Sequence, residues 1–198
     1  MEDSFQEDGD ASISYQQEWI KTQDLLKRKL VLEDDFGWKV PSKESNLGGS
    51  GNKEKLKYIG GVDISFLKED PSLACGAVVV LDADTLKVVH EEFDIVRLQV
   101  PYIPGFLAFR EAPILLGLLE KMKTNAHPFY PQAMRSTPGS SKPIYISVGH
   151  RISLDSAVKV TKLCSKFRVP EPTRQADMRS KVFLRQQKGS IHMVEILS

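Results

Sequence analysis

The sequence predicts an α/β domain built on an antiparallel three-stranded meander with helices packed against it. Three observations carry this reading. Runs rich in Val, Ile or Phe occupy 58–67, 74–81 and 88–96, the connections between them are too short for a crossover helix, and an apolar stripe at helical spacing covers 106–123. With 198 residues, 41% of them hydrophobic, the chain can bury one sizeable core, so one domain with tails is expected.

The elements follow in chain order. Residues 1–13 are acidic and polar and are expected to form a disordered tail. In 14–40, strong helix formers carry Trp19, Leu26 and Leu30 on one face, which reads as an amphipathic helix from Ser14 to about Leu32. Residues 41–57 hold Gly48, Gly49 and Gly51 among Ser, Asn and Lys and read as a flexible linker. The three strands of 58–123 come next, with Asp70-Pro71 and Asp82-Ala83-Asp84-Thr85 as their turns. The helix after them presents Leu107, Ile114, Leu115, Leu118, Leu119 and Met122. Pro113 places its main start near Glu111, since a proline in a first turn forfeits no hydrogen bond.

Pro128, Pro131, Pro138 and Pro143 deny regular structure to 124–142. In 143–179 the pattern predicts a short strand at 144–148, a helix capped by Ser153 and running to about Phe167, and a last helix from Thr173 through Asp177. Residues 180–198 form a tail without recognisable pattern.

Composition excludes several classes. No apolar stretch approaches the ~20 residues that span a bilayer, so no membrane partner is expected. Met1-Glu2-Asp3-Ser4 lacks the basic start and apolar run of a secretory signal, and Cys75 and Cys164 stand in no Cys-x-x-Cys pattern. Reduced thiols and an intracellular location, nucleus or cytoplasm, are therefore expected. The net charge of +1 hides an asymmetry: residues 1–35 carry ten acids against four bases, and 142–188 carry eleven bases against three acids. The basic half is either an ordinary solvated face or a footprint for phosphates.

Hydrolysis of a phosphodiester with a divalent cation needs carboxylates at strand and helix ends, because hard cations choose oxygen ligands. Asp63 is an acid inside an otherwise apolar strand, next to Gly60 and Gly61, which permit close approach of another backbone or a ligand. Read alone, it is also compatible with a solvent-facing Asp. Glu111 lies beside Arg110 at the expected helix start, where the helix dipole favours its ionised form. Asp177, near two arginines, is either a surface ion-pair partner or a ligand. Pro101-Tyr102-Ile103-Pro104-Gly105 holds an aromatic in a stiff loop, suited to stacking on a base or to a structural turn. His150, after Gly149, is either a structural histidine or a group near a metal or phosphate.

Taken together and in this order, four segments resemble endonuclease V: Gly60-Gly61-Val62-Asp63-Ile64-Ser65-Phe66, then Pro101 to Glu111, then Tyr145 to Leu154, then Arg174-Gln175-Ala176-Asp177. The resemblance implies a ribonuclease H-like fold, in which the meander continues into a mixed sheet with helices on both faces. It implies Mg²⁺ or Mn²⁺ as cofactor and a single-stranded DNA or RNA containing inosine as partner, cut on the 3′ side one bond beyond the modified nucleotide's neighbour. By the same carry-over Asp63, Glu111 and Asp177 are metal ligands, with His150 nearby. Pro101, Tyr102, Ile103, Pro104, Gly105 and Arg110 contact the strand, and Gly61 lines the base pocket.

The chain also departs from that pattern. The family's central strand ending in an Asp-Gly-Asn-Gly-like motif, its helix with an Arg-Gly-Phe-Gly-like start and its strand ending in paired lysines have no match. Residues 124–142 contain no acid. One metal-binding Asp and one lysine are accordingly missing, and the strand bearing Asp63 is expected to lose a neighbour, a vacancy that 144–148 is placed to fill. A second reading is a non-catalytic nucleic-acid-binding or regulatory form, and a third is a chain that does not fold stably.

Overall fold

The computed structural model describes residues 3–40, 54–100, 102–129, 131, 133–136 and 146–196. In chain order they form α1 (Asp3–Arg28), β1 (Trp38–Lys39), β2 (Glu54–Lys55), β3 (Tyr58–Phe66), β4 (Leu73–Asp82), β5 (Val88–Arg97), α2 (Leu107–Thr124), β6 (Ala133–Ser136), α3 (Leu154–Leu163) and α4 (Glu171–Ile196). The main sheet has the order β5-β4-β3-β6. Its first three strands are antiparallel, as their short turns require, and β6 runs parallel to β3. Both turns of the meander are held by an aspartate. Asp70 accepts from the Ser72 N–H at 3.0 Å, and Asp82 from the Thr85 N–H at 2.8 Å.

β4 is the spine of the core. Every residue from Leu73 to Leu81 is buried, as expected of a strand with helices on both faces. On one face, Val62, Val78 and Val80 pack with Leu118 and Met122 of α2. On the other, Ala176 and Leu184 of α4 meet Ala77, Val79 and Leu81, and Leu73 and Cys75. The Phe93 and Phe183 rings stack there at 4.7 Å. A smaller cluster of Trp38, Leu56, Ile59, Ala83 and Cys164 joins α3 to the sheet. Each fully buried aliphatic side chain of this size contributes about 1.5–3 kcal/mol. No helix among the described residues is long and apolar enough to cross a membrane.

Several sequence expectations are corrected. α1 starts at Asp3, inside the stretch expected to be a disordered tail, and ends at Arg28. Most of the expected linker, 41–53, lies outside the described residues. Its end forms β2, which pairs parallel with β1. α2 starts at Leu107, so Pro113 lies inside the helix and not in its first turn. Packing explains the early start: Trp19 of α1 is buried against Phe106 and Phe109, stacking on the latter at 5.3 Å.

The proline-rich stretch is not wholly irregular either. Ala133–Ser136 pairs with Ile59–Val62 and fills the place beside β3. Residues 146–149 have no regular structure, while Ile144 and Tyr145 lie outside the described residues. An exposed edge of backbone donors and acceptors templates a strand even from a sequence without alternation. Finally, α3 ends at Leu163, and α4 takes in residues through Ile196 that showed no pattern.

Candidate active site

Alternation along β3 turns Gly61, Asp63 and Ser65 toward α4. At the first of these, a Cβ would lie 2.2 Å from the Pro172 carbonyl carbon and oxygen and 2.6 Å from the Thr173 nitrogen, so only glycine lets the start of α4 rest on the strand. At the third, Ser65 Oγ and Ser180 Oγ share a hydrogen bond of 2.7 Å, both side chains being buried. Two strand residues and one helical turn advance by similar lengths, about 6–7 Å and 5.4 Å. α4 therefore runs alongside β3 in the same direction, and between the two anchors Asp63 meets Asp177.

Asp177 acts on Asp63 both through its charge and through its side chain, so the two carboxylates stand close together. The Asp63 carboxyl is pushed up to about 7, first by burial, then by the negative charge of Asp177, with Glu111 adding and Lys181 opposing. Lys181 forms an ion pair with Asp177. This lysine lies in the expected tail and went unmarked by sequence reasoning; its one signal was the four-residue spacing from Asp177 along a helix. Burial also raises the Glu111 carboxyl, while Arg110 pulls it down. The expectation of a dipole-favoured, ionised Glu111 is thus corrected: α2 begins four residues before it, away from the helix end, and burial dominates.

Two neighbouring acids, with a third within electrostatic range, make a site that favours a cation. All its donors are oxygen, the chemistry that suits Mg²⁺ or Mn²⁺. Among the described residues, however, no three His, Cys, Asp or Glu side chains stand close enough to hold one ion. The donor set suits a hard cation through Asp63 and Asp177, and Glu111 acts on it through charge, outside a common coordination sphere.

The other expected residues fall into two groups. Tyr102 is 61% exposed and Ile103 7%, so the loop shows its aromatic to solvent and anchors itself by its isoleucine. Phe106 N–H donates to the Ile103 carbonyl at 3.0 Å, and Gly105 has φ +87°. This is a type II turn with Pro104 and Gly105 at its centre, a conformation that calls for glycine at the second position. Pro101 lies outside the described residues. Arg110 sits with its guanidinium carbon 4.9 Å over the Phe66 ring, and its buried Nε has no protein partner.

Gly61 and His150 take other roles. The backbone of α4 occupies the face of Gly61 that was expected to line a base pocket. His150 Nδ1 accepts from the Val31 N–H at 3.3 Å. Its neighbour Arg151 bonds the same segment through Val31 O at 2.7 Å and Asp35 at 2.9 Å. His150 thus fastens the segment after α1, and it is not among the groups acting on Asp63.

The raised Asp63 carboxyl sets a pH dependence. Folded protein binds more protons than unfolded between the ordinary aspartate value of 3.8 and about 7. Stability from this group is therefore complete at low pH, lost as pH rises through that window, and level above it. Thermal melts in EDTA should show a decline across this range that Asp63→Asn removes, and identical slopes for the two proteins would contradict the assignment. Lys181→Met should move the Asp63 midpoint still higher in an NMR titration.

A family model described as Endonuclease V matches residues 42–132 and 126–178. The match breaks in two within the proline-rich stretch. Endonuclease V of Mus musculus is 30% identical over 247 aligned positions, covering 87% of this chain and 70% of the relative. Endonuclease V of Homo sapiens is 31% identical over 245 positions, covering 86% and 84%. Both alignments are longer than the 198-residue chain, so part of each relative has no counterpart in it.

The solved catalytic domain of human Endonuclease V superposes with a TM-score of 0.73 at 28% identity, covering 89% of this chain and 98% of that one. A Ciona intestinalis Endonuclease V, in complex with a 23mer DNA containing an inosine followed by a ribo-adenosine, shares the fold with a TM-score of 0.71 at 21% identity. It is covered over 99% of its length, with 88% of this chain.

Proposed function

Because the chain belongs to the endonuclease V family, we propose that it acts on inosine-containing single-stranded DNA or RNA, hydrolysing a phosphodiester on the 3′ side of the modified nucleotide with Mg²⁺ or Mn²⁺. The observation that supports this reading is the Asp63–Asp177 pair, two acids brought together by β3 and α4 whose mutual repulsion a cation would relieve. The inosine preference is carried over from the family, to which the DNA-bound Ciona intestinalis protein also belongs.

Asp63 and Asp177 would hold the ion, which when bound neutralises charge on the phosphate and activates water. Glu111, which burial makes a stronger base than an ordinary carboxylate, would accept a proton from water. Lys181, which pairs with Asp177, would offer its ammonium to a phosphate oxygen. Tyr102, exposed on a turn fixed by Pro104 and Gly105, would offer a flat ring beside the modified base. Tyr102→Ala should weaken binding to inosine-containing strands by roughly 10-fold, since stacking contributes ~1–3 kcal/mol. Equal affinity in an anisotropy titration would make the loop purely structural.

One observation favours a second reading, a protein that binds the strand without cutting it: no third carboxylate completes the cation site among the described residues. A labelled oligonucleotide with one inosine, incubated with excess protein in Mg²⁺ or in EDTA, separates the two. A Mg²⁺-dependent product one bond beyond the inosine's 3′ neighbour supports hydrolysis. Retained binding with no product leaves the binding-only form.

A further inference from the structure

We propose that Phe167 and Arg174 form a second stacking site, which takes a base of a single nucleic-acid strand without regard to its identity. The proposal rests on the reading that the chain handles nucleic acid, but not on inosine or on cleavage. Phe167 lies between α3 and α4 and is 60% exposed. It belongs to none of the buried apolar clusters. Core packing therefore does not account for where it stands.

What holds the ring is a guanidinium. The Arg174 Cζ lies 4.9 Å from the Phe167 centroid. Arg174 is itself fixed: Nε and Nη2 donate to Glu171 at 2.8 and 2.6 Å, and Nη1 lies 3.0 Å from the Met178 sulfur. Glu171 is buried at 6% exposure and takes a further bond from Gln175 at 2.8 Å. A ring fixed in this way loses little freedom when a base stacks on it, so more of the contact energy appears as affinity.

Charge and position select the occupant. Lys162 and Lys166 are exposed on the same stretch. Glu171, the acid in contact with Arg174, is engaged with it. An exposed aromatic ring under a guanidinium, with two exposed lysines on the same stretch, suits a polyanion with flat bases better than an apolar peptide. Arg174 also precedes Asp177 by three residues on one helix, less than a turn. A strand with a phosphate at the carboxylate pair would therefore have Arg174, and the ring it covers, within reach along α4.

The test uses the full chain and a fluorescein-labelled oligothymidylate in EDTA, a probe without inosine and a condition without metal. Phe167→Ala should bind it roughly 10-fold more weakly, with an unchanged melting temperature. Phe167→Trp should retain affinity, and its added emission should be quenched on binding, against the buried Trp19 and Trp38. Phe167→Leu should bind as weakly as the alanine variant. Wild-type affinity in Phe167→Ala, full rescue by leucine, or failure of the wild-type chain to bind the probe would each overturn the site. Loss of inosine cleavage, by contrast, would sink the proposed activity and leave this result standing.

Discussion

Replacing Asp63 with Asn is expected to lower Mg²⁺-dependent cleavage about a thousand-fold while leaving strand binding in place. Asparagine keeps the size and can still bond Asp177, but it carries no charge for the ion. A bound metal supplies several kcal/mol of stabilisation to the reacting phosphate, and each ~1.4 kcal/mol is a factor of ten in rate. In EDTA, Asp63→Asn should bind the strand slightly more tightly than the natural chain, because an acid that repels phosphates is gone. Single-turnover cleavage and anisotropy run in parallel would check both. Cleavage by Asp63→Asn within ten-fold of the natural chain would remove Asp63 from the cation site.

The largest structural effect is expected at Gly61. A Cβ there falls 2.2 Å from two atoms of the Pro172 backbone, and neither main chain can rotate away as a side chain would. Overpacking costs about 1–3 kcal/mol when side chains can shift, so Gly61→Val should exceed the upper end of that range. At ~2–4 °C per kcal/mol for a chain of this size, the melting temperature should drop by roughly 6–12 °C or more. The shift of α4 should also part Asp177 from Asp63 and let the Asp63 carboxyl fall back toward 3.8. Gly105→Ala is the contrast, since its Cβ would meet nothing within 4 Å and only its φ of +87° is strained, a cost of ~1–2 kcal/mol. Equal melting temperatures for Gly61→Val and the natural chain would contradict the packing of α4 on β3.

What could be read from the sequence was local. The meander followed from turns such as Asp70-Pro71, because a connection of that length leaves no choice but an antiparallel partner. The stiff loop around Tyr102 followed from two prolines and a glycine, but the exposure of its ring did not. Asp63, Glu111 and Asp177 were marked by motif resemblance, not by their surroundings, since spacing along the chain says nothing of burial.

What was hidden depended on partners distant in sequence. The pairing of 133–136 comes from the open edge of β3, not from its own residues. The early start of α2 comes from Trp19, nearly ninety positions away. Lys181 became visible only when the apparent tail proved to be a continuation of the helix that carries Asp177. The gap at 124–142 was legible as missing motifs, and the divided family match places a break in the same stretch.

Asp63 and Asp177 are expected to hold a divalent ion even without the missing segment. Calorimetric titration of Mg²⁺ into the full chain at pH 8 and at pH 6 measures this directly. One ion per chain is expected, bound more tightly at pH 8, where Asp63 is mostly ionised, with no comparable binding by Asp63→Asn. Absence of binding at pH 8, or the same affinity in Asp63→Asn as in the natural chain, would contradict it.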